Sequence, residues 1–300
     1  MLFNKDNNGS MELYRLTGTF KASTDFAAIA NDIDDATDEL RSMVGPVVEY
    51  AEEAYEQGAE CAVLPLVQRV VASRALCYFA MNTGLSHGET GRKMKVDENE
   101  KIPFEWMVDR DDRELKERYY RALDRLFRYL DSDEGKSLIN NLGELPYSGT
   151  RDKLIVKDIA SFEQVYPISG SYYTFHSLVP LMIEAQDHLA AMLGIEVGPN
   201  LSDIAPVMKY IVLSALATAL GRWSLSIFPH EISRQFAPSY QGNKETQPAT
   251  MAEIDRTRRN FESEARDAYI AASVAIKNEN PEAECSVIPE NHPSNKFFTA

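Results

Sequence analysis

Apolar and polar positions alternate along this chain in three ways, and each way predicts a different element. Val207 to Phe228 reads VMKYIVLSALATALGRWSLSIF, apolar around nearly its whole circumference, which predicts a buried helix. Lys209 and Arg222 lie near its ends, where long stems carry their charges to solvent. Leu66 to Met81 (LVQRVVASRALCYFAM) is the second longest run of this kind. Laid over one another, Val67 meets Val207, Arg69 meets Lys209, Val71 meets Ile211, Ala75 meets Ala215 and Leu76 meets Leu216. The second way is amphipathic. Phe26, Ile29, Ile33, Leu40 and Val44 share one helical face, after an N-cap at Ser23 or Thr24 and before a stop at Gly45. The third is extended, expected over Met11–Phe20 and Lys153–Ile168.

The amphipathic stripe returns as Phe175, Leu178, Met182, Leu189 and Leu193, with Gly194 as the stop and Pro180 placed to kink the first turns. Six of the twenty positions from Phe26 to Gly45 are identical in Phe175–Gly194, where chance supplies about one. The order of elements recurs as well. Gly91–Trp106 reads as a β-hairpin, with strands Arg92–Val96 and Lys101–Trp106 around a turn at Asp97–Glu100. Asp111 with Glu114 then opens a charged amphipathic helix to Leu130. In the second half Gln235–Ala249 stands where the hairpin was, and Thr250 with Glu253 forms a capping box for a helix to Ile276. The stretch from Asp131 to Gly170 joins the halves, loop-like at first and then extended. The predicted fold is mainly α: two tandem, similar helical units over 1–150 and 151–278, small β-hairpins, extended termini and an arm over 279–300.

Composition narrows the function. The 300 residues are 44% apolar and carry a net charge of -15. That balance argues against a groove that grips phosphates and against anionic membrane surfaces. Charges interrupt both apolar runs, so neither reads as a membrane span, and no secretory signal is expected in MLFNKDNNGSMELYR. Cys61, Cys77 and Cys285 have no metal-like spacing; Cys61 and Cys77, in or beside apolar runs, read as buried free thiols, and this usage fits a reducing compartment. The acids Asp32, Asp34, Asp35, Asp38 and Glu39 read as a solvated helix face rather than a calcium loop.

No chemistry-bearing motif emerges. None of the five histidines lies in a zinc-binding pair, and Glu184, Asp187 and His188 read as surface groups. Phosphate-binding glycine loops and a nucleophile elbow are missing, and Gly170-Ser171 and Ser86-His87-Gly88 read as loops. The aromatic run Tyr166–Phe175 reads as core and interface, and Arg256, Arg258 and Arg259 as partners of Glu262 and Glu264. No catalytic, cofactor or metal residue is therefore expected. Projecting hairpins and arms expose backbone edges suited to strand addition between subunits, the mark of an assembly protein.

Three segments, LFNKDNNGSMELYRLTGTF, SHGETGRKMKVDENEKIPFEWMVDRDD and WSLSIFP with TQPAT, resemble a family of structural proteins of tailed phages and prophages of gut bacteria. In fold each half resembles phage head–tail connector (adaptor) proteins, in which subunits ring the DNA channel beneath the portal. The resemblance implies a virion neck protein, made in the host cytoplasm, of 12 chains or of 6 with pseudo-twelvefold symmetry. Its partners would be itself, the portal and the next neck or tail protein, with DNA passing unbound. Contacts are expected from Arg92, Lys93, Lys95, Phe104, Trp106, Tyr240, Phe297 and Phe298. A tail-completion or tail-terminator ring is the neighbouring reading. A small-molecule hydrolase or metal enzyme, revealed by a deep polar pocket, is the reading of another class.

Overall fold

The computed structural model describes residues 1–83, 86–88, 91–93, 104–143, 145, 154–195, 201, 204–222, 233–235, 246–248 and 250–279. They are mainly helical, and they fall in two compact units, Met1–Gly149 and Thr150–Ala300. Among the described residues no helix is long and apolar enough to cross a membrane.

The first unit opens on a helix, α1 (Gly9–Thr17), where an extended entry was expected. Met11–Phe20 was expected as a strand-like entry, but the chain is helical as far as Thr17, with Leu13 the helix's buried apolar side chain. Gly18, at φ 71°, closes the helix in the left-handed region. Asp25, rather than Ser23 or Thr24, supplies the next cap: its carboxylate accepts the Ala27 N–H and starts a 3-10 turn over Phe26–Ala28. Helix α2 (Ala30–Gln57) follows and is longer than predicted. Gly45 does not stop it. The chain bends at Val44 (φ -137°, ψ 42°), and Pro46 opens a further segment, where a missing N–H is tolerated. Val47, Val48, Ala51 and Ala54 are buried along that segment, which ends at Gly58 with φ 68°.

Helix α3 (Leu64–Thr83) is the predicted buried rod. The hairpin after it lies earlier than Gly91–Trp106. Strand β1 (Ser86–Gly88) pairs antiparallel with β2 (Gly91–Lys93), setting His87 opposite Arg92. Only two residues separate Gly88 from Gly91, the spacing of the tightest hairpin loops. Glu105 and Trp106 belong to helix α4 (Glu105–Leu130), which starts ahead of Asp111 from an extended Phe104. The expected loop at Asp131 contains helix α5 (Asp133–Leu142), signalled by Ser132, whose hydroxyl accepts the Gly135 N–H at 3.2 Å, and by two acids in the first turn. A Cβ on Gly135 would lie 2.1 Å from the Tyr129 carbonyl oxygen, so the α4–α5 corner requires glycine.

The second unit repeats this economy. Leu154, Ile155 and Val156 are buried, and the Ile155 N–H donates to Gln186 Oε1 at 2.9 Å. The expected extended run then breaks into α6 (Ile159–Glu163), capped by the Asp158 carboxylate on the Ser161 N–H. Ser171 caps α7 (Tyr172–Leu193), which continues through Pro180 and stops at Gly194 with φ 65°. The buried rod is α8 (Ala205–Arg222). Strand β3 (Ser233–Gln235) pairs antiparallel with β4 (Thr246–Pro248). Thr250 and Glu253 form the predicted capping box before α9 (Met251–Glu279): the Thr250 N–H donates to Glu253 Oε2 at 2.9 Å, and the Glu253 N–H to Thr250 Oγ1 at 3.3 Å.

Helix α3 packs against α2 and α4, and α8 against α7 and α9. Burial follows the same register in both units. With Val67 laid on Val207, Pro65–Asn82 and Ala205–Arg222 agree in exposure at every position except Phe79 and Ala219. With Ile29 on Leu178, the buried Ile33, Ala36, Thr37, Leu40 and Val44 fall on the buried Met182, Ala185, Gln186, Leu189 and Leu193. With Leu130 on Ile276, the buried Tyr119, Ala122, Leu126 and Phe127 fall on the buried Ala265, Ala268, Ala272 and Ser273. The α2 bend thus stands where α7 ends, and Pro46–Gln57 is an addition to the first unit.

Candidate functional site

The clearest concentration of polar groups in the first unit lies where α2, α3 and α4 meet. Glu39, expected on a solvated face, is half-buried and receives three donors. Arg74 Nε lies 2.7 Å from its Oε2, Tyr78 Oη 2.6 Å from the same oxygen, and Tyr119 Oη 3.1 Å from Oε1. The Arg74 guanidinium carbon sits 4.5 Å from the Tyr78 ring centre and 4.9 Å from that of Tyr119. Burial by itself would lower the Arg74 pKa. The hydrogen bond and charge of Glu39 outweigh it, holding the guanidinium charged well above its ordinary range. Asp32 is buried too, with the Asn82 amide donating to it at 2.9 Å; burial raises its pKa against that hydrogen bond. Asp34, Asp35 and Asp38 are the exposed part of the acidic face.

The corresponding place in the second unit is open. A cavity of about 680 Å³ lies over α8, with α7 and α9 as its walls. His188 Nδ1 lies 2.8 Å from Tyr210 Oη on one side. At one rim the Arg222 guanidinium donates to both oxygens of Glu184, at 2.5 and 2.7 Å. That contact, more than any other, lowers the Glu184 pKa. Arg258 Nε is 3.6 Å from Glu262, an ion-pair distance too long for a hydrogen bond. Glu184 and His188 therefore line a cavity, and the Arg258–Glu262 pairing matches the expectation, whereas Glu264 lies 3.9 Å from Lys209.

The expected contact residues are scattered. Phe104 is 66% exposed at the start of α4. Arg92 and Lys93 lie in β2 and Trp106 in the first turn of α4, with the backbone alone described. Lys95, Tyr240, Phe297 and Phe298 lie outside the described residues, as does Cys285. Cys77 is buried and Cys61 half-buried, both free thiols. Ser171, one half of the Gly170-Ser171 pair, spends its hydroxyl on Thr174 as a helix cap. Sequence reading missed Glu39–Arg74 because the two are far apart in the chain. A carboxylate one residue from an apolar stripe and an arginine inside an apolar rod were the available signals. Compared with protein families, curated proteins and solved structures, the chain matches none.

Proposed function

We propose that this chain is a virion structural protein of a tailed phage, a head–tail connector subunit that closes with its copies into a ring between portal and tail. The observation that carries this reading is the recurrence of long helix, buried rod, two-stranded excursion and closing helix, with matching buried positions, in both units. Two similar modules in one chain offer two similar gripping surfaces, and rings grow from such heterologous contacts when the rotation closes. Twelve chains, or six with pseudo-twelvefold symmetry, then surround the channel. The three segments that resemble tailed-phage structural proteins support the same placement. The net charge of -15 suits a channel lining that repels DNA and lets it pass unbound.

The paired excursions, the exposed Phe104 and the segment after α9 are the contacting parts in this reading. Mass measurement of the purified chain across concentrations tests it. The expected result is a closed species of six or twelve times 33.7 kDa, weakened when residues 281–300 are removed while the helical content stays. A monomer at every concentration, unchanged when the portal protein is added, would sink the reading. Identification of the bound neighbour separates a connector from a tail-completion ring.

A further inference from the structure

The two units treat the same place in opposite ways. Laid in the registers that align their buried positions, Glu39, Arg74, Tyr78 and Tyr119 of the first unit fall on His188, Ser214, Thr218 and Ala265 of the second. In the first unit those four side chains bond to one another and stack, which fills the space between the outer helices. In the second all four line the cavity, and three of them are much smaller. The rim changes the other way: Asp112 falls on Arg258 and Leu123 on Tyr269. The plug is gone, and larger polar groups surround its place.

What remains is short of anions. Among the described residues, three arginines, Arg222, Arg258 and Arg266, line the cavity with two carboxylates, Glu184 and Glu262, in a chain whose net charge is -15. Glu184 is held by Arg222. Among the described residues Arg258 Nε is buried with no hydrogen-bond partner, since Glu262 stands 3.6 Å from it and Asp255 3.8 Å from Nη2, ion-pair distances too long for a hydrogen bond, and Arg266 pairs with no carboxylate. A buried guanidinium N–H left without an acceptor costs free energy that a bound acceptor recovers. The Tyr210 and Tyr269 rings, 6.3 Å between centres, with Ala185, Ala217 and Ala265, give the same cavity an apolar side. Its volume lies within the range of small-ligand sites.

We propose that the cavity over α8 is a binding site for an organic carboxylate carried on an apolar or aromatic body, with Arg258 and Arg266 as the anion's donors. This goes beyond the assembly reading and does not rest on it. The ligand chemistry is met either by a free small acid or by an acidic–aromatic stretch of polypeptide. Titration of the whole chain with phenylacetate, and separately with a capped Phe-Glu-Phe peptide, tells the sources apart by heat and by melting temperature. Saturable binding of either probe is expected, weakened at least tenfold in Arg258→Gln and in Arg266→Gln. Binding of the peptide alone assigns the source to a protein chain.

A second variant rebuilds the first unit's plug: His188→Glu, Ser214→Arg, Thr218→Tyr and Ala265→Tyr together. It is expected to abolish binding with helical content intact. Should that variant not fold, Arg266→Gln decides, since Arg266 is exposed and its loss leaves the core untouched. Absence of binding by both probes, or binding that survives both arginine changes, overturns the proposal. Ring formation by mass is unaffected by either result, so failure here and failure of the assembly reading are distinguishable.

Discussion

Ile211→Asp is expected to unfold the second unit. Ile211 is fully buried in α8, with α7 on one side and α9 on the other. A lone carboxylate there has neither water nor a cation, and either its charge is buried or the helices part to admit solvent. Loss of the apolar side chain contributes about 2–5 kcal/mol, and the stranded polar group adds several more, which together approach the whole stability of an ordinary domain. Two residues away, Lys209 has a half-exposed side chain 3.9 Å from Glu264. Lys209→Gln is expected to cost less than about 1 kcal/mol. Hydrogen exchange over Leu154–Glu279 checks both: protection lost in the first variant and kept in the second. Equal behaviour of the two would mean that α8 is not the rod on which the unit is built.

Arg74→Met is expected to destabilise the first unit by about 2–3 kcal/mol, less than for a fully buried pair because both side chains are about a quarter exposed. The change keeps an apolar stem but leaves Glu39 with only the two tyrosine hydroxyls. Glu39→Gln in the Arg74→Met background is expected to restore a large part of the loss, because the uncompensated carboxylate is what costs most. Arg74→Lys is expected to recover little, since an ammonium cannot lie flat between Tyr78 and Tyr119. Denaturant melts of the four proteins measure the coupling. An Arg74→Met midpoint indistinguishable from wild type would show that the cluster fills space without contributing energy.

The buried rods were legible in the sequence because apolar residues cover nearly their whole circumference and the few charges along them, such as Lys209 and Arg222, have stems long enough to reach solvent, and this holds whatever packs against them. The charged helices α4 and α9 were legible as helices, and the capping box placed the start of α9 within one residue. What escaped was decided by tertiary context. Gly45 looks like a stop, yet it is buried inside α2, and the bend falls at Val44 with Pro46 restarting the helix. Leu13 is the one apolar side chain that helix α1 buries, beside Gly9, so its apolar pattern hardly distinguishes it from a strand. It is fixed from outside: Glu12 accepts the Tyr55 hydroxyl at 2.8 Å and the Asn4 N–H at 2.9 Å. Helix α5 had legible signals in Ser132, Asp133 and Glu134, but the Asn and Gly residues that follow read as loop. The polar sites were hidden most fully. The plug joins residues from three helices, and the cavity of the second unit is visible only once the two units are laid in register.

In the proposed assembly, two like helical modules in one chain are gripped by identical neighbours around a channel. Electron cryomicroscopy of particles that carry this chain tests it most directly. The expected result is a closed ring at the neck, between portal and tail, with each chain contributing both modules to contacts with adjacent copies. Particles whose neck ring is built without this chain, or that hold it as isolated single copies, would contradict it.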